Sequence, residues 1–318
     1  MNKKKCPYCG SFLVVKKGFQ QGHQRWKCKS CSKKFQANKK ALPSKEELFC
    51  KYVFNKQTLN ELAQKYHIKT KHIQALMDEV KLPRKIHNPR SIALVVDTTF
   101  VGDYGVVVFR DQYTKENLWW RFVDSEQLIY YHMGREVLEQ LGYTIVSVTA
   151  DGLPGLPAVF TGIPFQFCHF HAKKNVTKYL TRNPQLQAGI ELKEIMHSIT
   201  SYNHNSFISV LNEWKHRHDD FLKEKTIHPD GSWSYTHKRL RSALRSMIRM
   251  SPFLFTYQNE HSITIPTTTN SLEGHFSHIK VRLKAHRGIS EKRQQKMISA
   301  ILLNSSVSFK ENMHNYLL

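Results

Sequence analysis

The chain has 318 residues, with 48 Lys and Arg against 25 Asp and Glu, a formal charge of +23 and a pI near 9.8. That length holds about two or three domains, and the charge is extreme for an ordinary cytosolic enzyme. It points to a polyanionic partner, because neutralising phosphates releases counterions and drives salt-sensitive binding.

No apolar run approaches transmembrane length, and the N-terminus lacks the apolar core of a signal peptide. A basic chain can also bind an acidic membrane surface, but no basic amphipathic helix with a clean apolar face is evident. A cytoplasmic, nucleoid-associated protein without a membrane partner is expected.

The first element carries Cys6, Cys9, Cys28 and Cys31 in two CxxC pairs, CPYC and CKSC, with eighteen residues between them. Each pair can set two thiolates on a tight knuckle, and the chain between can fold back to complete a tetrahedral Zn²⁺ site. Lys3, Lys4, Lys5, Lys16, Lys17, Arg25, Lys27, Lys29, Lys33, Lys34, Lys39 and Lys40 surround the cysteines, and no acid precedes Glu46. Residues 1–40 are therefore expected to form a zinc ribbon that touches nucleic acid. Gly10, Gly18 and Gly22 punctuate short strand-like runs such as Phe12–Val15 and Gln24–Lys27. Disulfides in a secreted protein are the alternative use of these cysteines. Metal spacing without a signal sequence, with Cys50 and Cys168 left over, fits a reducing compartment better.

Residues 41–90 read as helices followed by a linker. Ser44, ahead of Glu46 and Glu47, is a plausible N-cap. In TLNELAQKYHIKTKHIQALMDEV, Thr58 can cap a short helix with Leu59, Leu62 and Ala63 inside. His67 and Ile68 make a turn, and Thr70 can cap a second helix built on Ile73, Leu76 and Met77. Two such helices form a helix-turn-helix, whose second helix can enter a major groove with Lys69, Lys71, His72 and Gln74 facing DNA. A plain helical hairpin is the competing reading. Residues 81–90, with Pro83 and Pro89 among basic residues, look like a linker.

Residues 91–183 alternate strands and helices. IALVVDTTF, YGVVVFRD and NLWWRFV read as three strands with tight, antiparallel joins. Glu126–Leu141 has helical spacing, TIVSVTAD is a buried strand ending at Asp151, and DGLPGLP is a turn. A short strand, PFQFCHF, and a helix from about His171 to Leu180 follow. This order is that of an RNase H-like α/β domain. Residues 184–265 read as mostly helical with no strand alternation. Residues 266–318 resume with a Thr-rich turn and a long helical pattern containing Glu273.

Asp97 and Asp151 each sit at or near the end of a buried strand, where a charge needs a partner. Two such strands side by side bring the carboxylates together, and a divalent cation resolves their repulsion. Glu273 is the candidate third ligand. Such a trio suits Mg²⁺ or Mn²⁺ and in-line phosphoryl transfer. Asp103, Asp111 and Asp124 are weaker candidates, Asp111 being the strongest rival because it too ends an apolar strand. Cys168 and His171, in CHFH, can chelate a metal or act as a nucleophilic pair, but the favoured reading is packing and hydrogen bonding that position the neighbouring strand and helix.

Together these motifs make the chain resemble the DDE transposases of bacterial insertion sequences, in the Mutator-like superfamily. The features are VVDTT around Asp97, TADGLPGL around Asp151, FCHFH, and TTTNSLEGHFSHIKVRLKAHRG around Glu273. The resemblance spans about residues 91–300; the zinc ribbon occurs in some members only. It implies an RNase H-like core at 91–183 and 266–318 with an all-helical insertion at 184–265. It also implies Asp97, Asp151 and Glu273 as catalytic metal ligands, and Cys168 and His171 as signature residues. The implied chemistry is hydrolytic nicking at transposon ends, then attack of the freed 3′-hydroxyl on target DNA.

The expected partner is double-stranded DNA, at transposon ends and target, engaged by a homodimer or higher oligomer. Lys280, Arg282, Lys284, Arg287, Lys292, Arg293 and Lys296 follow Glu273 on an expected helix that can track phosphates. Two other functions fit the same motifs: a non-catalytic DNA-binding regulator, and a structure-specific nuclease that cuts without joining.

Overall fold

The computed structural model describes residues 4–20, 23–36, 43–259 and 264–306. Lys3, Lys39 and Lys40 of the basic surround, and the end of the segment 266–318, lie outside them. The chain divides into two units, the first running to Lys81 and the second starting at Leu82.

The first unit opens with a small antiparallel sheet in the order β1 (Val14–Gln20), β2 (His23–Cys28), β3 (Lys34–Gln36). The strands are longer than the sequence runs suggest. The register slips between Lys16 and Phe19, and Gly18 sits there at φ +71°, a conformation open to glycine at little cost. Three helices follow: α1 (Lys45–Val53), α2 (Leu59–Tyr66) and α3 (Thr70–Glu79).

Ser44 caps α1 by accepting from the Glu47 amide. Thr58 and Glu61 form a reciprocal capping box on α2, and His67 ends that helix in the left-handed conformation at φ +54°. Thr70 does not cap α3: it is the first helical residue, and Lys69 holds the cap position without a side-chain bond. Leu62, Ile73 and Met77 are buried between the helices, whereas Leu59, Ala63 and Leu76 are only half-buried.

The second unit is built on a five-stranded sheet. Its elements are β4 (Ser91–Val101), β5 (Tyr104–Asp111), β6 (Asn117–Val123), α4 (Leu128–Gln140), β7 (Thr144–Ala150), α5 (Leu156–Val159), β8 (Phe165–Phe167) and α6 (His169–Leu180). The strand order is β6-β5-β4-β7-β8. β4, β5 and β6 are antiparallel neighbours, while β7 runs parallel to β4 and β8 parallel to β7. β4 is therefore the pivot of a mixed sheet. α4 covers one face, with Tyr131 and Leu138 packed against Phe109, Leu94 and Val148. A Cβ on Gly134 would meet the Phe109 ring at 2.5 Å, so only glycine lets α4 come this close.

A helical segment follows: α7 (Gln187–His197), α8 (His204–Arg217), α9 (Asp219–Lys223), α10 (Lys238–Leu254) and α11 (Thr256–Asn259). Its core joins Trp214, Phe207, Leu192 and Met247, and the Trp214 indole donates to the Ala188 carbonyl at 3.1 Å. The expectation of helices without strands fails in one place. β9 (Lys225–Ile227) and β10 (Trp233–Tyr235) form a hairpin, with strands too short to show an alternating pattern.

The final elements are α12 (Asn270–Ala285) and α13 (Glu291–Leu303). The expected single basic helix is thus two helices, split where Gly288 takes φ +79°. Arg287 lies in the turn, and Lys292, Arg293 and Lys296 belong to α13.

Residues 85–90 have no regular structure but are anchored. Lys85 pairs with Glu116 at 2.5 Å, and Arg90 pairs with Asp111 at 3.0 Å and Glu116 at 2.9 Å. The Tyr143 hydroxyl accepts from the Asn88 amide at 3.2 Å. No helix among the described residues is long and apolar enough to cross a membrane.

Candidate four-cysteine centre and carboxylate site

The turn after Cys6 is closed by the Gly10 amide donating to the Cys6 carbonyl, and the loop after β2 returns Cys31 to the same place. Cys6 Sγ lies 3.7 Å from Cys31 Sγ and Cys9 Sγ 3.6 Å from Cys28 Sγ, with all four sulfurs within 4.8 Å of one another. A tetrahedron with bonds of about 2.3 Å has an S–S edge of about 3.8 Å. The two pairs fit that edge closely, so these residues can hold a structural Zn²⁺.

The electrostatics fit as well. The Cys31 amide, and after it the Ser30 amide, point at Cys28 and outweigh burial, bringing its thiol down to about 6. At Cys9 the Ser11 amide acts in the lowering direction, but burial and the three neighbouring thiols overcome it and push the thiol up to about 12. Thiolates crowded together repel one another, and a bound cation relieves that repulsion.

The second site is assembled from β4, the turn after β7 and the start of α12. The apolar run stops at Asp97 but the strand does not, because its pairing with β5 carries it on to Val101. β4 and β7 pair in parallel with Val95 opposite Thr149. Continuing that register two residues brings Asp97 level with Asp151. Asp97 is buried, and its Oδ1 accepts from the Thr98 amide at 2.9 Å. Burial raises its carboxyl to about 7. The charges of Asp151 and Glu273 push the same way, and His171 and the Thr98 amide oppose them. The structure thus brings the charges of Asp151, Glu273 and His171 to bear on Asp97.

Glu273 sits in the first turn of α12, where Thr269 Oγ1 donates to its carboxylate at 3.2 Å. His171 Nε2 lies 3.8 Å from the same oxygen. The Cys168 thiol is buried, 3.4 Å from Thr269 Oγ1, and accepts from the Thr269 amide at 3.4 Å. Cys168 thereby ties the start of α6 to the start of α12, which positions Glu273.

Burial alone would lower His171. The hydrogen bond and charge of Cys168, with Asp97 and Asp151, overcome it and lift the imidazole to about 9. For Cys168, burial acts upward, but hydrogen bonds from His171 and Thr269 prevail and lower the thiol. Cys168, His171 and Glu273 place their ligand atoms within 4.8 Å of one another; Asp97 and Asp151 stand outside that group.

Asp111 has a different place. It is fully buried, bonded to Arg90, to Thr114 Oγ1 at 2.8 Å and to the Tyr113 amide at 3.1 Å. It is an anchor of the entering chain and not part of this site. Asp103 and Asp124 are exposed.

Glu126, which the sequence marks only as the start of a helical run, also belongs to this site. It accepts from the Tyr131 hydroxyl, which lies 2.8 Å from Thr98 Oγ1, beside Asp97. Burial is the main cause raising its carboxyl and the Asp151 charge adds to it, against the hydroxyls of Tyr131 and Thr98. An acid just before a helix normally reads as helix-end electrostatics, so no sequence signal marked it.

Of the other candidate contacts, Lys69, Lys71 and His72 are exposed and Gln74 is half-buried on α3. Lys280, Lys284 and Arg287 are exposed and Arg282 is half-buried. No protein-family model and no curated protein sequence matches this chain.

Proposed function

We propose that this protein is a DNA transposase with an RNase H-like catalytic core, acting by divalent-metal-dependent phosphoryl transfer. The observation that carries the reading is the junction of β4, β7 and α12. Asp97 lies within β4, Asp151 directly follows the adjacent parallel strand β7, Glu273 stands in the first turn of α12, and the charges of Asp151 and Glu273 act on Asp97. A sheet with an antiparallel β4-β5-β6 half and a parallel β4-β7-β8 half supports the RNase H-like reading.

Asp97, Asp151 and Glu273 would hold Mg²⁺ or Mn²⁺, which activates the attacking oxygen and stabilises the leaving oxygen. The protein's own part is to hold three carboxylates where a cation is favourable. His171, lifted above its ordinary range by Cys168 and the nearby carboxylates, stands 3.8 Å from Glu273 and would add positive charge where a phosphodiester must approach.

The four-cysteine ribbon and the helices α2 and α3 would recognise the terminal inverted repeats, with Lys69, Lys71, His72 and Gln74 on the groove-facing helix and Lys280, Arg282, Lys284 and Arg287 on backbone phosphates. DNA assembly into a homodimer or larger complex is part of this reading.

The test is divalent-dependent cleavage and joining of a labelled duplex carrying the DNA that flanks the coding region. The wild-type chain cuts and joins; Asp97→Asn, Asp151→Asn and Glu273→Gln each lose cleavage on the order of a thousandfold or more while retaining DNA binding. Normal cutting by all three variants overturns the site. Binding without any cutting by the wild type marks a DNA-binding regulator, and cutting without joining marks a nuclease.

A further inference from the structure

α10 reads KRLRSALRSMIRMSPFL, with five basic residues and no acid. Its buried face, Leu240, Ala243, Leu244, Met247 and Met250, is fixed in the helical core. Helical spacing then places Lys238, Ser242, Arg245 and Arg249 along one outward stripe. α6 lies against this stripe and contributes Lys178 and Tyr179, both exposed. Between the two helices runs a groove of about 580 Å³, lined by Lys178, Lys238, Ser242 and Arg249 among others, with a second hollow of about 350 Å³ beside it at Arg245.

None of these cations is paired with an acid among the described residues. Arg239 donates to the Lys178 carbonyl at 2.7 Å, which ties the two walls together. Like charges gathered without counter-charge repel one another, an arrangement an anionic ligand relieves.

The groove leads to the carboxylate site. Arg249 and Asn175 line it and also line a third cavity, of about 200 Å³, whose wall includes Asp151. One cationic path thus runs along α10 and opens at Asp151. From Lys238 to Arg249 the helix rises roughly 16 Å, long enough for several backbone phosphates.

We propose that the groove between α6 and α10 binds the phosphodiester backbone of the DNA strand next to the scissile bond, with Lys238, Arg245 and Arg249 on successive phosphates. The proposal rests on the phosphoryl-transfer reading of Asp97, Asp151 and Glu273. It adds a second, sequence-independent contact to the end recognition assigned to the N-terminal unit. An open row of three charges suits a polymer better than a single phosphate, and the exit at Asp151 gives the strand a direction.

The test uses the full chain in chelator, so that no cutting occurs. Affinity for a random 30-base-pair duplex and for a 30-nucleotide single strand is measured against salt for wild type and for the triple variant Lys238→Gln, Arg245→Gln, Arg249→Gln. Removing three phosphate contacts makes the log–log salt slope shallower by about 2.7 on duplex or about 2.1 on single strand, and the arm that shows its change identifies the form bound. On duplex, raising salt fourfold then weakens the wild type about 40-fold more than the variant. Swapping to Lys238→Arg, Arg245→Lys, Arg249→Lys restores the wild-type slope. An equal-charge control, Lys215→Gln, Lys223→Gln, Lys225→Gln, leaves it unchanged.

All three targeted side chains are exposed, and circular dichroism confirms that the variant is folded before binding is measured. If wild type binds and cuts DNA but the triple variant keeps the same slope on both DNAs, or the control shifts it equally, the groove proposal is wrong while the catalytic reading stands. If wild type neither binds nor cuts, both fall together.

Discussion

Replacing Asp97 by Asn should make the metal-free protein more stable while removing its response to metal. Asp97 is buried, and burial with the charges of Asp151 and Glu273 holds its carboxyl at about 7 instead of the ordinary value of 3.8. A folded-state pKa above the unfolded one means that the folded protein binds the extra proton between those values. Stability contributed at low pH is therefore lost as pH rises from about 4 to about 7. At pH 8 the ionised carboxylate costs on the order of 4 kcal/mol, against about 1–2 kcal/mol at pH 5. Asn keeps the shape and can still accept from the Thr98 amide, but it has no charge to desolvate. The variant's advantage over wild type should therefore widen by roughly 3 kcal/mol between pH 5 and pH 8, or about 6–12 °C in melting temperature. Denaturant unfolding in chelator at both pH values measures this directly. Adding Mn²⁺ at pH 8 should raise wild-type stability and leave Asp97→Asn nearly unmoved, because the ion favours the ionised, folded form. An advantage that does not grow with pH, or an equal Mn²⁺ response in both proteins, would refute the electrostatic account.

For the cysteine centre, metal analysis of the full chain should find about one Zn²⁺ held by the four sulfurs, lost in Cys28→Ser; a variant that keeps its zinc would show that the ion is bound elsewhere. Asp111→Asn should cost roughly 3 kcal/mol by breaking a buried pair and leaving Arg90 less well matched, and divalent-dependent cleavage per folded molecule should persist. A stable but inactive Asp111→Asn protein would return Asp111 to the candidate site.

How much the sequence disclosed depended on how local each feature is. The CxxC pairs were readable because two ligands on one knuckle must be close in sequence. The caps at Ser44 and Thr58 were readable because a cap and its partner are three residues apart. The end of β7 showed as an apolar run stopping at an acid, whereas the run that stops at Asp97 marks only the middle of β4, which pairs on to Val101. The strands β9 and β10 did not show, since three residues cannot display a period. Asp111 looked like Asp97 along the chain; its bond to Arg90, made across the fold, separates them. Glu126 and the α6–α10 groove were unreadable for the same reason: each exists only once distant segments are laid side by side.

The anchoring of residues 85–90 decides where the N-terminal unit can be exchanged. Lys85 and Arg90 are held by Glu116 and Asp111 at the β5–β6 turn, and Tyr143 holds Asn88. A cut at Arg90 would strip buried Asp111 and half-buried Glu116 of their cations and send the damage into the sheet that carries Asp97. The usable seam lies upstream, between Lys81 and Leu82. Under the proposed function, a foreign DNA-reading module grafted there would inherit a second unit whose entry strap is already fastened.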